Sequence, residues 1–142
     1  MARYEESGGS AISISTFGIF DRIVWGERCA ACWTSGSNFY VRTPAPGTAN
    51  PISNQVGKVV KMATTYAKPS GQAAVIKMYQ DDVLVLTYET PKLEQWEAGN
   101  AHIWFGQRHG SVIDRVGYLD ATILAAEVHN AVLTEAELKS RP

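Results

Sequence analysis

The chain has 142 residues, 45% of them hydrophobic and 19% charged, which is the make-up of one packed domain and excludes a disordered tail. Thirteen basic residues against fourteen acidic ones give a formal charge of -1, with no run of Lys or Arg, so the electrostatic footprint of a nucleic-acid binder is missing. No apolar stretch approaches the roughly twenty residues of a membrane-spanning helix, and two cysteines, Cys29 and Cys32, cannot build the multi-bridge framework of a small secreted scaffold.

In chain order, residues 1–10 are polar and Gly-containing and hold no apolar h-region. They read as an N-terminal arm on a chain that is either made without a secretory signal or excised from a longer protein. Residues 11–17, 19–25 and 39–43 are expected strands, followed by a surface loop over 43–54 whose three prolines and one glycine cannot sit inside a sheet. Alternation with a period of two is clearest from residue 59 onward. Over 59–66 it places Val60, Met62 and Tyr66 on one face and Lys61 and Thr65 on the other. Residues 67–71 carry Pro69 and Gly71 and break the pattern, after which 73–79 and 83–88 form a hairpin about Gln80-Asp81-Asp82.

Residues 91–100 are a polar connector, 101–105 a short strand ended by Gly106, and 108–117 a loop with Gly110 and Gly117. Residues 118–128 form the longest β-rich run and are expected to be a strand, although their alanines also suit a helix. Thr134 with Glu137 makes a capping box, and Leu133 with Leu138 a hydrophobic staple, so a short helix should begin at Glu135. The pattern predicts a single all-β domain over 1–142: an antiparallel two-sheet sandwich or jelly roll with a short C-terminal helix.

Several of these segments carry a resemblance in their order. Residues 60–66 are similar to a strand ending in "vTY", 75–85 (VIKMYQDDVLV) to a "lYvDGvlv" hairpin, and 102–106 (HIWFG) to an "l.iG" strand. Residues 117–120 (GYLD) and 127–138 (EVHNAVLTEAEL) resemble "G.iDevriynraLs..Ei", closing on the capped turn. These are patterns of the laminin-G-like and concanavalin-A-like sandwich families, and 11–17 and 23–27 resemble their earlier "tisawv" and "ivs.g" strands. The resemblance spans a little over half of the chain and implies the laminin-G-like fold, with carbohydrate binding as the associated activity. One departure is Asp82, which stands where the family's hairpin has Gly and must adopt backbone angles that Asp reaches less readily.

Candidate chemistry is sparse. Cys29-Ala30-Ala31-Cys32 has the spacing of a redox motif or half a zinc site, but there is no βαβ context, and His102, His109 and His129 are scattered; two small buried thiols are the competing reading. Asp81, Asp82, Asp114 and Asp120 are the acidic residues nearest to loops. Of these, Asp81 and Asp82 are the candidates for calcium, set against the ordinary use of Asp in turns; no other cofactor is expected. Polysaccharide cleavage needs two carboxylates alternating along one strand, whereas Glu5-Glu6, Asp81-Asp82 and Glu94 with Glu97 do not alternate. No nucleophile, zinc-protease, P-loop or dinucleotide signature occurs, so no catalytic residue and no enzymatic activity is expected. Among the aromatics, Trp33 and Tyr40, beside Ser35-Gly36-Ser37, and Trp96, in the polar connector, are the candidate ligand-binding platforms. Burial in the core is the alternative for each.

Two functions from different classes follow. The first is a structural or adhesive module of a larger assembly: a phage virion component, either a capsid decoration or a tail-associated protein, homo-oligomeric and located in a virion or outside the cell. A virion protein leaves by lysis and needs no signal, whereas a lone glycan binder without one has no route to external sugars. The second is a carbohydrate-binding module, lectin-like and calcium-assisted, with a surface glycan as partner. A polysaccharide lyase or hydrolase is the remote third. The first should show exposed apolar surface or strand edges, and the second an aromatic-floored groove.

Overall fold

A computed structural model describes residues 10–16, 19–28, 33–34, 59–91, 98–99, 102–106 and 122–142, with side chains from residue 59 onward. These residues are predominantly β, paired antiparallel, with one short helix among them. The strands are β1 (Ser10–Thr16), β2 (Ile19–Arg28), β3 (Trp33–Thr34), β4 (Met62–Ala67), β5 (Ala74–Gln80), β6 (Val83–Thr90) and β7 (His102–Phe105), and the helix is α1 (Glu135–Lys139). One sheet has the order β3-β2-β1-β7 and the other the order β4-β5-β6.

The first sheet joins ends of the chain that are far apart in sequence. β1 and β2 form a hairpin with Thr16 opposite Ile19. On its other side β1 pairs with β7, so that Ile12 stands in register between Trp25 and Phe105, and Ile14 between Ile23 and Ile103.

In the second sheet β5 is central, and alternation sets its packing. Ala74, Ile76 and Met78 are fully buried on one face, where each of Ile76 and Met78 contributes about 1.5–3 kcal/mol of burial. β6 holds a bulge: Met78 faces Leu86 while Tyr79 faces Leu84, which leaves Val85 as the extra residue. A bulge turns two consecutive side chains toward one side, and Val85 and Leu86 both pack against Met78, with Met62 beside them. The hairpin turn is Asp81-Asp82, flanked by the pair Gln80 and Val83. Both aspartates have positive φ, 49° and 67°, as a two-residue turn that matches strand twist requires. Asp82 therefore adopts the conformation that the resemblance assigns to Gly.

Thr65, on the opposite face from Met62 and Tyr66 as alternation has it, is buried and stands opposite Lys77, which pairs onward with Thr87. One expectation is corrected. The strand expected over 118–128 is not formed where it is described. Residues 122–129 have no regular structure and every one of them is exposed, because β-forming side chains make a strand only where a neighbouring ladder takes up their backbone groups; residues 118–121 lie outside the described ones. The strand expected over 39–43 and the loop over 43–54 also lie outside them.

The helix matches its sequence signals. Thr134 caps it, with the Glu137 backbone N–H donating to Thr134 Oγ1 at 3.3 Å and the Thr134 backbone N–H donating to Glu137 Oε2 at 2.8 Å. The staple residues Leu133 and Leu138 are half-buried. With five residues and none buried, such a helix is too short to hold by itself and depends on what docks it.

Candidate functional site

The most connected polar cluster among the described residues centres on Lys61, just before β4. Its backbone is tied to the hairpin turn: the Lys61 N–H donates to Asp81 Oδ1 at 3.0 Å, and the Asp81 N–H donates to the Lys61 carbonyl at 2.9 Å. Its ammonium donates to the carbonyls of Leu138 at 2.7 Å and Arg141 at 2.8 Å, and meets Asp82 Oδ1 at 2.9 Å. Three oxygens thus match the three protons of an ammonium; one is the Leu138 carbonyl in the last turn of α1, where a cation is favoured, and another the Arg141 carbonyl just past the helix. One side chain fastens both the β5–β6 turn and the end of the chain.

Beside this clamp lies a cleft lined by Lys61, Ala63, Tyr79, Asp82, Glu135 and Leu138. Its volume, about 10 Å³, holds about one water, far below the several hundred Å³ of a small-molecule site. Tyr79 is buried there, and burial first, then the negative charge of Glu135, pushes its hydroxyl pKa above 10. On α1, hydrogen bonds from the backbone and then the side chain of Thr134 hold Glu137 below the usual carboxylate range. The clamp and cleft are built for docking a segment of chain.

Few of the candidate residues fall among the described ones. Asp81 and Asp82 occupy the turn, and their carboxylates meet the Lys61 N–H and ammonium. Trp33 lies in β3, while Tyr40, Trp96, Cys29, Cys32, His109, Asp114 and Asp120 lie outside the described residues. His129 Nε2 is 2.9 Å from Glu127 Oε2, and the His102 and Trp104 rings are 6.2 Å apart and tilted by 53°. Among the described residues no three His, Cys, Asp or Glu side chains converge as a metal site would. No described helix is long and apolar enough to cross a membrane.

What the sequence did not flag is apolar surface left in solvent. On β7, Ile103 and Phe105 are exposed; beyond it, so are Ile123, Leu124, Val128 and Val132, with Leu124 at 71%. A Cβ added to Gly106, which directly follows β7, would lie 3.6 Å from Ile123 Cδ1, so the two runs meet at that point. Nothing in the alternation of the chain could mark 122–132 as exposed, since the same residues suit a buried strand.

Compared with known proteins, the chain matches no family model, no curated protein and no solved structure.

Proposed function

We propose that this protein is a non-catalytic structural or adhesive module of a larger assembly, with a phage virion, through a capsid decoration or tail-associated role, as the particle concerned. The observation that carries the reading is the exposed apolar surface of β7 and of residues 122–132. Single exposed apolar residues are ordinary, but six in two adjoining runs are a feature of surfaces that meet another protein. The finer architecture proposed with it is a two-sheet, laminin-G-like sandwich, supported by the four- and three-stranded antiparallel sheets and the capped C-terminal turn. Asp81 and Asp82 are proposed to serve the hairpin turn and the Lys61 clamp, without calcium, which fits their positive φ and their partners.

The test is the native mass in solution, by light scattering over a concentration series. A closed oligomer is the expected result and directs the search to a particle surface. A strict monomer at every concentration overturns the reading and leaves the carbohydrate-binding module, to be checked on a glycan array with and without calcium.

A further inference from the structure

The sheet β4-β5-β6 has a second face, opposite the one on which Ala74, Ile76 and Met78 are buried. The row across its middle is polar: Thr65 of β4 stands opposite Lys77 of β5, which stands opposite Thr87 of β6. Tyr79 follows two residues along β5, on the same face. This face is not simply open to water, since Thr65 is 9% exposed, Tyr79 is 5% exposed and Lys77 is half-buried. Its donors are nevertheless unused. The Lys61 ammonium meets three oxygens, whereas among the described residues the Lys77 ammonium meets none, and the hydroxyls of Thr65, Thr87 and Tyr79 make no hydrogen bond. The donors are not sealed in either. Among the described residues the side-chain atom that is enclosed without a partner is Gln80 Oε1, so the Thr65, Lys77 and Tyr79 donors reach the surface.

We propose that this row is a binding site for a single oxyanion, a phosphate, sulfate or carboxylate group, held by the Lys77 ammonium and the hydroxyls of Thr65 and Thr87. Polar groups withdrawn from bulk water are costly unless hydrogen-bonded, and what these side chains lack is an acceptor. An ammonium has three protons and each hydroxyl one to donate, and hydrogen bonds to ionised oxygen are shorter and roughly twice as strong as neutral ones. The spacing suits the ligand, because directly opposed residues of a sheet have Cβ atoms about 5 Å apart, which puts all three donors within reach of one group of that size. Tyr79 borders the row where α1 docks, and burial and then Glu135 raise its pKa, so it is a donor there and not a competing anion. The neighbouring charges leave Lys77 as the cation of the site. Glu135 and Lys139 lie together beside Tyr79, Glu89 stands in the next row opposite Val75, and Lys61 is taken up by Asp82 and two carbonyls. One such cation suits one anionic group rather than a polyanion, in keeping with a formal charge of -1. The site needs a single copy of the chain and stands apart from the assembly reading.

The experiment titrates the full chain with sodium sulfate and with sodium phosphate, following backbone amide shifts by NMR, against sodium chloride at matched ionic strength. Saturable shifts at Thr65, Lys77 and Thr87 are expected with sulfate or phosphate and not with chloride. Lys77→Gln should weaken binding at least about tenfold, the change from losing one charged hydrogen-bonded contact, and Lys77→Arg should preserve it, a rescue that a role in packing alone would not predict. Thr87 is exposed, so Thr87→Val leaves the core untouched and should weaken binding about threefold; it carries the test if Lys77→Gln does not fold. A sulfated monosaccharide separates the sources: binding tighter than that of inorganic sulfate assigns the oxyanion to a larger molecule, and equal binding assigns it to the free ion. Shifts that follow ionic strength alike in chloride, or that persist unchanged in Lys77→Gln and Thr87→Val, overturn the site. The native mass plays no part in that outcome, so the site and the assembly reading fail separately.

Discussion

Residues 74–80 and 122–132 are similar in composition and opposite in fate. Both are short, β-prone and rich in Ala, Val, Ile or Leu. The first is β5, paired on both sides, with Ile76 and Met78 fully buried. The second has no ladder among the described residues and leaves Leu124 and Val132 mostly in solvent. Backbone groups of an extended chain must be paired or hydrated: β5 has β4 and β6 to pair with, joined to it by short connections, whereas residues 122–132 have no paired strand among the described residues. The difference shows that strand propensity is a statement about a partner as much as about a sequence.

The sharpest way to break this comparison is truncation at matched positions. Ile76→Ala should cost about 2–5 kcal/mol in a urea or guanidinium unfolding curve, as for other fully buried aliphatic side chains, while Leu124→Ala should change stability by less than about 0.5 kcal/mol and lower the native mass. An equal loss at both positions would mean that residues 122–132 are as well packed as β5.

Lys61→Met comes next. Its ammonium is mostly enclosed and meets three oxygens, so its loss should cost about 1–2 kcal/mol. Amide hydrogen exchange should then rise at Leu138, Ser140 and Arg141 while the protection of β5 persists, which would separate the docking of the tail from the folding of the sheet. Thr134→Ala should cost about 1 kcal/mol through loss of the cap, again confined to α1 and read by the same exchange measurement.

Two pH responses are smaller and lie at opposite ends of the scale. Glu137 has a lowered pKa in the folded protein, so its contribution is complete above the ordinary Glu range and is lost as pH falls through the lowered value; the chemical shift of the Thr134 amide should report that loss. Tyr79 has a raised pKa, so its neutral, buried form stabilises the fold fully below pH of about 10, and that contribution disappears as pH climbs through the raised value. Ultraviolet difference titration should show a late-ionising phase from Tyr79. Replacing Tyr79 by Phe should abolish the late phase.

The capped turn at Thr134 and the β5–β6 hairpin were legible in the chain, because each depends on residues within a few positions of one another: a side chain and an N–H one helical turn away, and a polar turn between two β-rich runs. The unusual backbone angles at Asp82 were expected only through the resemblance, whose hairpin has Gly at that place. The Lys61 clamp was not, since it joins residues 77 and 80 positions apart and Lys61 by itself reads as one more solvated charge. Neither was the burial of Thr65, nor the exposure of residues 122–132, which depends on which strands have neighbours. Local hydrogen bonding and chain stereochemistry are written into short stretches of sequence, whereas partners distant along the chain meet only through the three-dimensional fold, and that fold alone decided which apolar stretch became core and which was left as surface.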